Sequence, residues 1–561
     1  MKKILLTLLT AVTLTSAVAQ APFLEKTCYR GAFAPAPTPM WTDDWTEWDP
    51  NNKVYPAPTV TISANITANT TWLTGQTVLI QGPIYVTNNS ILTIQPGVII
   101  RGSSAVAGSG LFVTTGSKLN AVGTATAPIV FTSDQAAGSR APGDWGGVVL
   151  LGLANNNNPN GINNIEGIAT SSLTQYGGGT TPNDNDNSGD LEYVRIEFGG
   201  YVYAPNKEIN GLTFGAVGRG TIIDHVQCSF TNDDSFEWFG GAVNCKHLVA
   251  YRGVDDDFDT DNGFSGTVQF CLGVRDPNLA DPTYAATSGA STSEAFESDN
   301  DPNGTTAAPL TTAIFSNVTD IGPLRGVLTA TTHPGFRRGA RIRRNSSLKI
   351  VNSILMDHKT RGMHIDGQLS EQNAAAGTLL FKNNIVAGYG QRATESGTFG
   401  VINTNTFIAS NSNDTLLSSA NILTNPYNFL TPDYRPAAGS IALSGASFTS
   451  SAIAAATISS SLVCAPTAIK TNQNNIGLIS LFPNPTSEIA TLTIDTQGAL
   501  ALSIFISDIT GKVIATPVYG QNLIAGENKI TLNTSELNNG IYFVTLSTLN
   551  GKETVKLVVN K

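Results

Sequence analysis

Charge is what this chain has least of. Of its 561 residues, 32 are Lys or Arg and 42 are Asp or Glu. That is 13% charged, against about 25% in an average soluble protein. Long charged helices and coiled coils are excluded, because they are built from Lys and Glu. The formal net charge of −10 and the pI near 5.0 exclude nucleic acid and anionic membrane as partners, since neither offers anything to a negative surface. With 54 Gly and 27 Pro the chain is too poor in both to be collagen-like or wholly disordered. Cysteine is also scarce. Cys28, Cys228, Cys245, Cys271 and Cys464 form no CxxC pair, which argues against zinc, and their odd number leaves at least one thiol unpaired within the chain. Beyond the N-terminus, no run is apolar over the ~20 residues that a membrane span needs. A hydrophobic content of 41% and frequent turn residues leave a soluble, β-rich protein.

The first residues read as an address. Lys2 and Lys3, the apolar run Ile4 to Leu14, and Ala17-Val18-Ala19 as a cleavage site mark residues 1–19 as a secretory signal peptide. Export permits disulfides. Cys28 and Cys464 flank the central region and are a candidate pair; Cys228, Cys245 and Cys271 lie in apolar runs and read as small buried residues.

From residue 59 to 465, short β-branched runs recur between Gly, Asn and Asp turns, as in Ile91–Ile94, Gly147–Leu151, Leu191–Phe198 and Leu348–Ile354. Asp233-Asp234-Ser235-Phe236-Glu237 matches Asp255-Asp256-Asp257-Phe258-Asp259, and His225-Val226 falls on His247-Leu248 at the same offset, 255 − 233 = 22. That is the length of one coil of a parallel β-helix, in which each coil buries an apolar ladder against the last. A β-sandwich array fits this repeat poorly. Asn317, Asn352 and Asn383 each sit beside an apolar run, which suits side chains stacked at coil corners. Segment 20–58, with Trp41, Trp45 and Trp48 among acidic residues, reads as a cap for the open end of the helix, or alternatively as a sugar-stacking platform.

Residues 466–476 read as a polar linker. In 477–561 the alternation becomes regular, with strands Thr491–Ile494, Ser503–Ser507, Lys529–Leu532, Ile541–Leu546 and Thr554–Val559, which predicts a small immunoglobulin-like β-sandwich. The whole reads as all-β.

Several stretches carry a resemblance. LTIQPGVIIRG, APIVFTS, GDWGGVVLLG, NGLTFGAVGRGT, DDSFEWFGG and DDDFDTD resemble a family of exported right-handed parallel β-helix proteins from Bacteroidota, with a pectin lyase-like fold and no established activity. The C-terminal segment resembles the type A sorting domain of the type IX secretion system. The matching positions are Pro483, Asn484 and Pro485, then Gly511 and Lys512, Gly540 and Tyr542, and the terminal Lys556, Leu557 and Val558. This resemblance implies Sec export, handling by the type IX machinery, removal of the sorting domain, and release or attachment to surface lipopolysaccharide.

Chemistry has few places to sit. One coil apart means ~4.8 Å, so Asp233 falls over Asp255, Asp234 over Asp256 and Glu237 over Asp259. With Phe236 and Phe258 inward, a corner between Asp and Phe puts the carboxylates on an outer edge. Calcium, which takes oxygen ligands, suits Asp233, Asp234, Asp255, Asp256, Asp257, Asp259 and Asp261. The loops at Asp184–Gly189 and Asp299–Gly304 resemble half a calcium loop but lack the acidic residue at position 12, and plain turn chemistry also accounts for them. Arg341 and Arg343 share a strand face that would either grip an anionic glycan or pair with those carboxylates. The expected function is a structural, adhesin-like or glycan-contacting protein without enzymatic activity. The alternative is a polysaccharide lyase or glycoside hydrolase for acidic polysaccharides, using Asp233, Asp234, Asp255, Asp256 and Arg341 or Arg343. The elements of such an enzyme are incomplete, since neither His358 nor His364 is followed by Gly.

Overall fold

The computed structural model describes residues 22–204, 207–281, 292–396, 399–460, 462, 476–496, 498–509, 512–548 and 551–561. It divides into two units, Met1–Leu462 and Val463–Lys561.

The first unit is a parallel β-helix. One wall is a ten-stranded parallel sheet that runs from Pro83–Val86 through Leu212–Gly215, Phe236–Phe239, Phe258–Asp261, Phe296–Ser298 and Arg338–Arg343 to Arg361–Asp366 and Arg392–Ser396. Pairing puts like on like. Val148, Leu212, Phe236, Phe258, Phe296, Ala340 and Met363 form one inward column. All are fully buried, and the rings of Phe236, Phe258 and Phe296 follow one another at 5.8 and 5.2 Å. Burial of each Phe contributes roughly 1.5–3 kcal/mol, so the column favours this register over any slip. The 22-residue period of the sequence is one step of this column, 258 − 236; neighbouring steps are 236 − 212 = 24, 296 − 258 = 38 and 340 − 296 = 44. The longer coils loop outward between strands that keep the same core.

The remaining walls come from longer strands, including Gly189–Glu197, Ile222–Ser229, Asn244–Tyr251, Thr267–Val274 and Ile314–Ile321. Each bends at one residue with positive φ. These residues are Tyr193, His225, His247, Phe270 and Asn317, and the line continues at Asn352 and Asn383. The left-handed conformation is unfavourable for most side chains. Ring stacking compensates at the first four positions, with centroids 4.4, 4.3 and 5.3 Å apart. Asn, which tolerates the conformation, takes over above them. The amides do not bond chiefly to one another. Asn317 Nδ2 donates to Thr27 Oγ1 at 2.9 Å, and Asn352 Nδ2 donates to the Ser447 carbonyl at 3.1 Å.

The tryptophans occupy a flank rather than the expected end cap. Trp45 is buried against Tyr193 and His225, Trp41 packs on His247, and Trp48 packs on Tyr251 and Tyr434. The segment before them binds the coils laterally: Leu24 pairs with Thr457, and the Ala32 N–H donates to Thr319 Oγ1. The aromatic corner ladder is the apolar surface that draws the tryptophans there. Cys228, Cys245 and Cys271 are free, buried thiols. Cys28 is disulfide-bonded; its expected partner Cys464 lies outside the described residues, as do residues 1–19 and Gly511.

The second unit holds a three-stranded antiparallel sheet (Ile476–Phe482, Ile489–Thr496, Gly526–Asn533) and a four-stranded one (Leu500–Ser507, Val513–Leu523, Gly540–Thr548, Gly551–Val559). Alternate residues of both, including Leu492, Ile494, Ile504, Val544, Leu546 and Leu557, share one core. Asn484, between Pro483 and Pro485, pins its turn to the terminal strand: it accepts from the Val558 N–H at 2.8 Å and donates to the Lys556 carbonyl at 2.6 Å.

Candidate functional site: a charge-segregated face

Residues that alternate with the core column face outward from the ten-stranded sheet. One outer column reads Thr213, Glu237, Asp259, Glu297, Arg341, His364, Glu395. Three residues earlier in each coil, the same register gives Asn210, Asp234, Asp256, Glu294, Arg338, Arg361, Arg392. Both columns therefore turn from acidic to basic at the same level, between Glu297 and Arg341 and between Glu294 and Arg338, and the first returns to a carboxylate at Glu395.

The acidic half brings seven carboxylates together in three overlapping groups: Asp233, Asp234 and Asp255; Asp234, Glu237 and Asp259; Asp256, Asp259 and Glu297. Within each group, one oxygen per residue lies within 4.8 Å of the others. Asp234, Asp256 and Glu237 are only 6%, 5% and 6% exposed. The strands do begin at Phe236 and Phe258, but the edge before them is recessed rather than splayed into water.

Some of these oxygens tie coil to coil. Asp234 Oδ1 accepts from the Asp256 N–H at 2.8 Å, Asp256 Oδ1 accepts from the Glu294 N–H, and Asn210 Nδ2 donates to Glu237 Oε2. Others are buried with no hydrogen-bond partner, namely Asp255 Oδ1 and Asp259 Oδ1. Burial first, and then neighbouring carboxylates, hold Asp233, Asp234, Glu237, Asp255, Asp256 and Asp259 well above the ordinary carboxylate range. Hard oxygen donors in short-range groups fit a calcium-like cation.

Two expected ligands stand apart. Asp257 turns away from the row to a wholly buried site, where Arg275 Nε lies 2.9 Å from its Oδ2. The strand entry that sends Asp256 outward sends its neighbour the other way. Asp261 is two residues past Asp259 and joins none of the three groups; its Oδ1 accepts from the Asn262 N–H at 2.6 Å. Burial, then Asp299 and Asp301, raises it to about 7. The half-loops hold their carboxylates in turns and pairs. Asp184 accepts from the Asn155 N–H and Asp186 from the Leu153 N–H, Asp299 pairs with Arg343 and Arg344, and Asp301 accepts from the Asn303 and Thr305 N–H groups.

Arg341 and Arg343 do lie on the outer face, but they pair with other carboxylates than those expected. Arg341 meets Glu297 at 3.3 Å and Asp366 at 3.0 Å; Arg343 meets Asp299 at 2.8 Å and also Glu297. In the neighbouring column Arg338 meets Glu294 at 2.6 Å. The boundary charges thus neutralise one another. Sequence reasoning passed over Glu294 and Glu297 because the coil steps of 38 and 44 residues on either side hide their register. It also passed over Arg361, at 361 − 338 = 23, where the Arg-Gly-x-x-Ile shared by Arg338–Ile342 and Arg361–Ile365 was a usable signal, and Arg392, at 392 − 361 = 31. A separate cluster, Asp224 with His225 and His247, has both Nδ1 atoms on one Asp224 oxygen, at 2.9 and 2.7 Å, and so anchors the corner ladder.

Residues 64–422 match the pectate-lyase-like β-helix domain. The chain belongs to that family. Residues 480–560 match the secretion system C-terminal sorting domain, which implies a Bacteroidota protein exported through the type IX system to the cell surface or extracellular space. No helix among the described residues is long and apolar enough to cross a membrane. No curated protein matches the chain. Among solved structures it is similar to full-length tailspike protein 2 from Escherichia coli O157:H7 bacteriophage CAB120, at 10% identity and a TM-score of 0.21, covering 86% of this chain and 64% of that one. This β-helix chain therefore spans less than two thirds of the tailspike, and the likeness is too slight to carry an inference.

Proposed function

We propose that this exported β-helix protein is a non-enzymatic, adhesin-like module that contacts glycans at the cell surface, with calcium held in the acidic half of its outer face. The observation that carries this reading is the engagement of the groups a reaction would need. Asp234 and Asp256 accept backbone N–H bonds from the next coil, while Arg341 and Arg343 sit in ion pairs. Groups fixed in this way serve rigidity and binding rather than proton transfer. Calcium would be held by Asp233, Asp234, Glu237, Asp255, Asp256, Asp259 and Glu297, where it would offset mutual repulsion of about 3.5 kcal/mol per carboxylate pair at 4.8 Å and an effective dielectric of 20. A polysaccharide lyase or glycosidase is the second reading. It is favoured by one feature, the single column that places Asp259, Glu297, Arg341 and His364 on successive coils. Incubation of the purified protein with uronic-acid polymers, in calcium and in chelator, tests both. Binding without new reducing or unsaturated ends supports the module; new ends that vanish in Asp259→Asn support the enzyme.

A further inference from the structure

The basic half of the outer face has more positive charge than its partners cancel. Arg338, Arg361 and Arg392 occupy one position in three successive coils. Glu294 meets Arg338 at 2.6 Å. Among the described residues, Glu395 is the one carboxylate in an ion pair with the other two, touching Arg361 and lying 3.7 Å from Arg392. Arg337, next in sequence to Arg338, has a buried Nε without a hydrogen-bond partner and no carboxylate pair among the described residues. The crowding is mutual: Arg361 is held below the ordinary arginine value, by burial first and then by Arg338, Arg337 and Arg392. His364 lies three residues after Arg361 in the strand Arg361–Asp366, register-paired with Glu395, and its buried Nδ1 has no hydrogen-bond partner among the described residues. Arg392 also lines a cavity of about 1030 Å³ at the last coil, beside Tyr389, Gln391, Asn403 and Asn413.

Stacked guanidiniums with one carboxylate between them form a fork for a planar or tetrahedral oxyanion. The adjoining cavity offers amides and an aromatic ring, the groups that hold sugar rings. We infer that Arg361 and Arg392, supported by Arg337 and His364, bind the anionic substituent of a glycan, a sulfate ester or a uronic carboxylate, whose sugar ring enters the cavity of the last coil. The inference rests on the glycan-contacting reading above and names the ligand chemistry and the residues.

The test uses the full chain and four probes: inorganic sulfate, a sulfated oligosaccharide, an oligogalacturonate, and a neutral oligosaccharide of equal length. Saturable binding of at least one anionic oligosaccharide is expected, weakened about tenfold or more in Arg361→Gln and in Arg392→Gln, with inorganic sulfate competing. The Arg392 side chain is 68% exposed, so its replacement leaves folding intact and keeps the test open should Arg361→Gln misfold. The sulfated and uronic arms identify which substituent is read. Anionic binding unchanged in Arg392→Gln overturns this site while leaving the glycan-contacting reading in place. Absence of binding to all three oligosaccharides overturns that reading; sulfate protection against thermal unfolding, present in wild type and lost in Arg392→Gln, then still reports the anion site, and its absence overturns the site as well.

Discussion

Stripping divalent cations from the acidic row should make the stability of the β-helix depend on pH with an unusual sign. Carboxylates that are paired in a folded protein normally have lowered pKa values and lose their contribution in acid. Here burial and crowding raise them. A group with a raised folded-state value binds its proton more tightly when folded, so its contribution is complete below the unfolded value near 4 and is lost as pH rises through the folded value. For Asp261 that window runs from 3.8 to about 7, and at 1.36 kcal/mol per pH unit it amounts to about 4 kcal/mol. For a unit the size of Met1–Leu462, an unfolding entropy of about 2.1 cal/mol/K per residue makes this a fall of roughly 4 °C in Tm. Asp233, Asp234, Glu237, Asp255, Asp256 and Asp259 shift in the same direction and deepen it. Calorimetry in chelator between pH 5 and 8 should therefore show Tm falling by several degrees, and millimolar calcium at pH 8 should restore it. Asp259→Asn removes a buried, unpartnered oxygen's charge and should raise Tm in chelator while blunting the calcium response. A Tm that is level from pH 5 to 8 in chelator, or identical with and without calcium at pH 8, would refute the reasoning.

Other perturbations test the frame. Arg275→Leu leaves Asp257 buried without its ion pair at 2.9 Å and should cost about 3–5 kcal/mol in chemical denaturation; adding Asp257→Leu should recover much of that loss. Gly147→Ala would force a residue at φ +115° to place its Cβ 2.3 Å from the Asn210 carbonyl, whereas Gly75→Ala, at φ +86°, meets nothing within 4 Å. The first should unfold at clearly lower denaturant, and the second should lose only the stability that backbone strain costs, about 1–3 kcal/mol. Asn484→Ala removes two hydrogen bonds to the terminal strand, worth about 0.5–1.5 kcal/mol each, and should reduce the share of protein found at the cell surface on fractionation.

The fold was legible where a coil has its minimal length. Phe236 and Phe258 pair because a step of 22 residues leaves room for nothing but the turn and the next strands. The next two partners, Phe296 and Ala340, pack in the same column. Inserted loops separate them in sequence by 38 and 44 residues, and a core ladder leaves no mark on the loops that interrupt it. The three carboxylates Asp233, Asp234 and Asp255 could thus be brought together from sequence, whereas Glu294 and Glu297 could not. The tryptophans were misplaced for a different reason. Their spacing records an apolar face but not what that face meets. The flank that receives them is built by Tyr193, His225 and His247, residues whose unfavourable φ becomes tolerable only once they stack.

The same distinction separates the acidic row from the basic one. Repetition of an acidic motif at one period is visible because both copies lie in short coils. Reversal of charge along the axis is not visible, because it depends on Glu294, Glu297 and Asp299 meeting Arg338, Arg341 and Arg343 across a coil step of 44 residues. Those three carboxylates neutralise the boundary. Among the described residues they leave Asp234, Glu237 and Asp259 in no ion pair on one side, and Arg361 and Arg392 sharing a single paired carboxylate on the other. A solenoid that needed only to be rigid would gain by interleaving the two signs, since each like-charged neighbour one coil away is unfavourable. Keeping the signs apart leaves an acidic row and a basic row on one continuous wall, the arrangement that the proposed cation and acidic-sugar sites require.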